Sequence, residues 1–252
     1  MSFPSLPFVP HLQAADIAGF MAVFARATAF LVAAPLTGEK QTPTKVRVAA
    51  AFAIAFAVAP VRGPLDPARL ALVLPGDIFL GLAAGFVGRV VLAGIEAGGE
   101  IAGLQLGLGF AASYDPMLNA QAVPTQRIAV MLGGLAFLGA GGLEAGVRVI
   151  AGPPVDGLTL AAAVASIVRH SGEIMVVGLR FAAPLLIATT VANLAVALAA
   201  RAAPAINVFS VMLALVVLLG GAVLYATAPA LVRETLGTAR RASQSIEQTV
   251  RP

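Results

Sequence analysis

The 252-residue chain is 59% hydrophobic and only 11% charged, against roughly 25% charged in a soluble domain, so its main solvent is lipid or other protein. The net charge of +4 is scattered along the chain rather than gathered in a stripe, which argues against nucleic-acid binding. The absence of cysteine excludes a disulfide framework, thiolate metal sites and thiol catalysis.

Residues 1–16 lack the basic region of a secretory signal, and Pro4, Pro7 and Pro10 make them an extended lead-in. A first apolar stretch, 17–36, is expected to act as an uncleaved insertion signal. A polar loop, 37–45, precedes a second stretch, 48–61. This second stretch makes about 21 Å of helix, short of the ~30 Å hydrocarbon core unless 44–47 joins it. The turn-rich segment 62–69 leads to a third stretch, 70–95, interrupted by Pro75 and Asp77. A glycine-rich middle follows, 96–126, then a fourth stretch, 128–151. Pro153 and Pro154 introduce an amphipathic segment, 158–168. The fifth stretch is 174–200, Pro204 marks its end, and the sixth is 205–232. The remaining tail is polar and carries Arg233, Arg240, Arg241 and Arg251. No segment alternates with period two over a strand-long run, which argues against an outer-membrane barrel. The expected fold is all-α: a polytopic integral membrane protein of about six hydrophobic helices. It forms one membrane domain over 1–252, with a core at 10–235 and a polar tail at 236–252.

Six spans put both termini on one side, with Arg62, Arg69, Arg169 and the four tail arginines. The other side then collects Lys40, Lys45, Arg47, Arg127 and Arg201. This is a weak charge bias for a rule that normally sets topology. Trp is absent and Tyr occurs only at 114 and 225, so the aromatic belt is also weak. Both features fit helices that do not cross lipid in the ordinary way.

Arg26, Asp77, Arg89, Glu144 and Arg180 lie inside apolar stretches. A charge at membrane depth is costly and faces the bundle interior or a water-filled cavity. Such residues serve an ion path, or simply an ion pair or a helix end. Asp77 and Glu144 lie near expected helix ends and are the weaker candidates. Arg26, Arg180 and Glu100 are the candidate buried charges. Arg26 and Arg180 each need a carboxylate or helix-end carbonyls. Acids at mid-span are almost absent, which counts against a proton-coupled small-molecule transporter.

Small residues recur at four-residue spacing: Gly81 and Gly85; Gly94 and Gly98; and Gly99, Gly103 and Gly107. This spacing lets helix backbones approach closely. Glycine also weakens a helix, so 98–109 is expected either to pack tightly or to bend. Residues 107–124 are too apolar for a solvated loop and too broken for a span. Non-helical backbone at membrane depth survives only inside protein or beside a water-filled cavity. The segment is therefore a candidate re-entrant or pore element, the alternative being a short amphipathic connector. Its candidate plug or gate residues are Gly107, Gly109, Phe110, Ser113, Tyr114, Asp115, Pro116 and Met117. Nothing resembles an enzyme site. His11 and His170 are isolated, His170 reading as a helix-end residue. Gly107 and Gly109 fall short of a dinucleotide fingerprint.

The motifs run in a recognisable order. Phe24, Arg26 and Pro35 come first, then Pro43, Arg47 and Pro60, then the Gly99-Glu100 pair. Gly109-Phe110, Ser113 and Asp115-Pro116 follow, and Pro204 with Asn207-Val208-Phe209-Ser210 closes the series. Together they resemble the FliR/SctT family of type III export-gate proteins over about residues 10–235. Two departures stand out. Met212 to Val216 replaces a Gly-Phe-Pro-Leu-Lys-like continuation, and Gly141-Gly142-Leu143 replaces an Asn-Gly-His element. The resemblance implies a single copy assembled with several FliP-like and FliQ-like subunits, alongside FlhB-like and FlhA-like export components. It implies a right-handed helical assembly raised partly out of the bilayer of the bacterial inner membrane, in the flagellar basal body. Unfolded flagellar proteins would pass through it, driven by the proton motive force and a separate ATPase. The resemblance places the family's plug in the stretch containing Gly107 to Met117. It implies no catalysis and no cofactor in this chain. An injectisome gate of the same type is the nearest alternative, and a small-molecule transporter is the more distant one.

Overall fold

A computed structural model of the chain describes residues 13–37, 42–106, 123–155, 157–202 and 208–248. These residues contain eight α-helices, one short 3-10 turn and no strand. The all-α reading therefore holds. Five helical runs are long and apolar enough to cross a membrane, or six if one bent pair counts as a span.

Helix α1 (Ala14–Ala33) starts at a reciprocal cap in which Gln13 N–H donates to Asp16 Oδ2 at 3.0 Å. It stops before Pro35, which cannot continue a helix. Helix α2 (Thr44–Arg62) begins just after Pro43, so residues 44–47 do join the second stretch. Its 19 residues make about 29 Å of helix, enough for the hydrocarbon core. It ends at Gly63, whose φ of 87° is open to glycine and costly for other residues.

Helix α3 (Leu70–Gln105) differs from the expectation. It runs unbroken for 36 residues, through Pro75 and Asp77 and on through the glycine-rich middle as far as Gln105. Pro75, the sixth residue of the helix, takes one i→i−4 bond from the ladder, and the helix continues past it. The glycines in 94–103 are helical because each meets a neighbouring helix, as described below. The fourth stretch splits into α4 (Pro124–Gly139) and α5 (Gly142–Ala151), bent by 55°. Gly141 makes the break in the left-handed region at φ 76°. Helices α6 (Gly157–Ser171) and α7 (Glu173–Ala202) follow.

Helix α8 (Val208–Gln248) also exceeds its expected range. The segment expected as a polar tail is helical to Gln248. Thr235, Thr238, Ala239, Ala242, Ser243 and Ile246 are buried. Their alternating spacing of three and one marks an amphipathic face, which the scarcity of large apolar residues hides in the sequence.

The chain divides into two compact units. The first comprises Met1–Phe86, Gly146–Val164 and Glu247–Pro252, and the second Val87–Ala145 and Ala165–Ile246. In the first unit α1 buries Ala22, Val23, Ala27 and Phe30, and α2 buries Ala51, Ala55 and Val58. Phe52 of α2 sets its ring edge-on to Phe20 and Phe24 of α1, with centroids 5.4 and 6.3 Å apart. In the second unit Ala102, Leu106 and Leu185 form a buried cluster, with Val223 and Leu224 packed on it.

Candidate functional site

The chemistry of the first unit centres on three charges. On α1 the buried positions Gly19, Ala22, Val23, Arg26, Ala27 and Phe30 recur at helical spacing, so Arg26 belongs to the inward face. On α3, Asp77, Gly81 and Gly85 are spaced four apart and share one face. The two glycines let that face lie directly on the α1 backbone. A Cβ on Gly81 would run into the Arg26 carbonyl. A Cβ on Gly85 would come within 2.7 Å of Phe30 O and 2.8 Å of Ala34 N. This close approach brings Asp77 to Arg26.

Arg26 and Asp77 are fully buried and form an ion pair through Arg26 Nη2 and Asp77 Oδ1. The second carboxylate oxygen, Oδ2, accepts from Arg62 Nη2 at 2.7 Å, and the Arg62 side chain is only 4% exposed. Arg62 lies in the last turn of α2, so the carboxylate ties three helices. Arg26 also donates Nη1–H to Val149 O at 2.9 Å and to Gly152 O at 3.0 Å, and Nη2–H to Pro153 O at 2.7 Å. These carbonyls stand at the C-terminus of α5, where the helix dipole is negative and the last carbonyls lack helical partners. Two guanidiniums and one carboxylate leave an excess positive charge, and the helix end offsets it. Arg26 Nε and Arg62 Nη1 are buried without a hydrogen-bond partner among the described residues. The cluster is a staple: it holds α1, α2, α3 and the end of α5 in one register. Among the described residues no three His, Asp or Glu side chains converge as metal ligands would.

The other expected site residues fall elsewhere. Arg180, expected to be buried, has a side chain 59% exposed in this chain and stands 4.0 Å from the half-exposed Glu234. Glu100 is likewise exposed, as is Arg89. Neither Arg180 nor Glu100 is buried within this chain, against expectation: Arg180 of α7 meets the carboxylate of Glu234 on α8 at a half-exposed site, and Glu100 is exposed. Gly99 and Gly103 pack against the start of α4. A Cβ on Gly99 would sit 2.5 Å from that of Ala129, and one on Gly103 would collide with Thr125 Oγ1 and Val123. Gly94 and Gly98 pack on α7, 2.8 Å from Val177 Cβ and from Gly178 O respectively by the same test. The plug candidates Gly107, Gly109, Phe110, Ser113, Tyr114, Asp115, Pro116 and Met117 lie outside the described residues.

Three features escaped the sequence reading. Asp77 lies near an expected helix end and Arg62 in a turn-rich segment, so neither stands out in the sequence as a member of this cluster. The available signal was the four-residue series of Asp77 with Gly81 and Gly85. His170, expected at a helix end, does lie in the last turn of α6, but it is buried rather than solvated and bridges to α8. Its Nε2 lies 2.8 Å from Ser245 Oγ and its Nδ1 lies 2.7 Å from Ser166 O.

Comparison with known proteins covers nearly the whole of this architecture. The family described as "Bacterial export proteins, family 1" matches residues 17–241. The flagellar biosynthetic protein FliR of Escherichia coli (strain K12) is 31% identical over 213 residues, 81% of this chain and 82% of the relative. FliR of Caulobacter vibrioides is 28% identical over 211 residues, 79% of this chain and 83% of the relative. The Yop proteins translocation protein T of Yersinia pestis is 32% identical over 154 residues, 58% of each chain. With a match from the first membrane helix to the last, the chain belongs to family 1 of the bacterial export proteins.

Proposed function

We propose that this chain is a pore and gate subunit of the flagellar type III protein export apparatus. It lets unfolded flagellar proteins cross the bacterial inner membrane within the basal body. The observation that carries this reading is the match to the bacterial export family over residues 17–241, with flagellar biosynthetic relatives over about four fifths of the chain. Ile187, Val191, Leu194 and Leu198 are exposed along α7, and Leu218 and Tyr225 along α8. These faces are open to lipid or to other subunits. FliP-like and FliQ-like subunits cover them, and FlhB-like and FlhA-like components complete the machine. The subunit catalyses nothing and carries no cofactor; its work is to shape and close a passage.

The plug reading of 107–117 rests on composition and on the family resemblance. An apolar constriction blocks a pore by dewetting and needs no charge. The injectisome gate is the second reading, favoured by the Yersinia relative. That match covers 58% of the chain, against 81% for the Escherichia coli flagellar relative, which is why the flagellar reading comes first. No observation favours a small-molecule transporter. Removing the gene tests the function directly. Loss of flagellar protein secretion, restored by the intact gene, is expected. Secretion that continues at the parental level would overturn the proposal.

A further inference from the structure

Helices α7 and α8 carry uncharged runs that end at the same level. On α7 the run is 181–200, about 30 Å of helix, the thickness of the hydrocarbon core. On α8 it is 208–232. The first run begins after Arg180, the second stops before Arg233 and Glu234, and Arg180 Nη1 stands 4.0 Å from Glu234 Oε1. That contact aligns the two ends and sets the edge of the hydrocarbon layer there, whichever neighbours line the apolar faces. Beyond the edge α8 turns basic on one face. Arg233, Arg240 and Arg241 lie four residues before, three after and four after Gly237, all within about 60° of it around the helix axis. The three arginines are exposed. A Cβ at Gly237, between them, would meet nothing within 4 Å. Thr235, Ala239, Ala242 and Ile246, on the opposite face, are buried. Glu234 Oε1 accepts from Arg241 Nη2 at 3.4 Å as well as facing Arg180, so one carboxylate sits among four guanidiniums and the face stays positive. Ala230 and Ala226 continue the Gly237 face back into the apolar run, and both are exposed.

We propose that this face of α8 binds the headgroup of an anionic phospholipid. Its phosphate sits over Gly237 and accepts from Arg233, Arg240 and Arg241, and its acyl chains run along Ala230 and Ala226. The depth is right: Gly237 lies about 6 Å of helical rise beyond Arg233, inside a headgroup layer roughly 5–8 Å thick on each side of the hydrocarbon core. Arginine stems are long enough to bend along the helix toward that layer while their charged ends stay wet. The planar guanidinium pairs with phosphate oxygens in a way a point charge does not. The missing side chain at 237 leaves the room, and a bulkier residue there would stand where the phosphate goes. Charge decides between lipids. A zwitterionic headgroup brings its own cation to a face that is already positive, whereas an anionic one is attracted by each arginine near the surface. Free phosphate gains the same pairing without the apolar run beneath it, in a site open to water and screened by salt. The inference rests on the membrane spans and stands apart from the gate reading.

The test uses the full chain recovered from membranes through a tag, with whatever subunits accompany it. Native mass spectrometry would count the phosphatidylglycerol and phosphatidylcholine of equal acyl length retained from an equimolar mixture. Phosphatidylglycerol is expected to be preferred, and Arg233→Gln combined with Arg241→Gln to weaken its retention about tenfold, the scale of two cations at a membrane surface. Arg89→Gln combined with Arg127→Gln removes the same charge from exposed positions on α3 and α4 and should leave retention at the parental level. A photo-crosslinking residue in place of Gly237 should add the mass of a lipid. Equal retention of the two lipids, or unchanged retention in the Arg233 and Arg241 variant, would overturn the proposal. Crosslinks from position 237 to a protein chain would put another subunit on this face and overturn it too. Displacement of the lipid by millimolar inorganic phosphate would assign the face to a free ion instead.

Discussion

Arg26 and Asp77, 51 residues apart in the chain, share a hydrogen bond where neither side chain is exposed to solvent. Arg62 completes the carboxylate's contacts, and the end of α5 completes those of Arg26. Removing one member of such a pair leaves the other charge buried without compensation. That costs roughly 3–5 kcal/mol, whereas an apolar pair of matched shape is often tolerated. Arg26→Ala and Asp77→Asn are therefore each expected to reduce the amount of chain held in the membrane severalfold, read by immunoblot at equal transcript level. Arg26→Met and Arg62→Met combined with Asp77→Leu, which removes all three charges together, should recover part of the loss. Single variants that accumulate like the parent would show that the staple is dispensable.

Gly81 and Gly85 let α3 lie on the backbone of α1. The atoms a Cβ would strike, Arg26 O, Phe30 O and Ala34 N, are backbone and cannot swing aside. Gly85→Ala should thus cost about 1–3 kcal/mol by overpacking. Gly237 in α8 has nothing within 4 Å of the same test atom. Gly237→Ala should stabilise by up to about 1 kcal/mol through helix propensity. Thermal unfolding of the purified complex in detergent distinguishes the two, with a lower midpoint for the first and an equal or higher one for the second.

Arg180 contrasts with Arg26. Its pair with Glu234 is long and half exposed, and exposed pairs contribute about 0–1 kcal/mol. Arg180→Ala is expected to leave the folded chain at its normal level in membranes, which a blot beside Arg26→Ala would check. A collapse equal to that of Arg26→Ala would contradict the exposed geometry.

The plug proposal has its own test. Deleting about residues 110–117 should leave the complex assembled while the membrane leaks ions or small solutes. Failed assembly, or an assembled complex that does not leak, would refute it.

The apolar stretches were legible because burial in lipid imposes length and hydrophobicity on each span. Helix ends were less so. Pro75 reads as a breaker, yet it falls near the start of α3, and the glycines after it are stabilised by neighbouring helices that a linear reading cannot see. Arg26 was legible as a buried charge because it interrupts an apolar helix. Asp77 and Arg62 were not, since their partnership depends on the approach of α3 to α1. The final turns of α8 hid their buried face behind Ala, Thr and Ser, whose apolar content is low. Arg180 and Glu100 show the converse: apolar neighbours in sequence do not bury a charge when the helix face carrying it has no covering element in the same chain.

The central claim is that this chain is one subunit of a multi-subunit export gate. The most direct measurement is the composition of the complex recovered from membranes through a tag on this chain, counted by native mass spectrometry. One copy of this chain with several FliP-like and FliQ-like subunits in a fixed ratio is the expected result. A folded, monodisperse species containing this chain alone would contradict it.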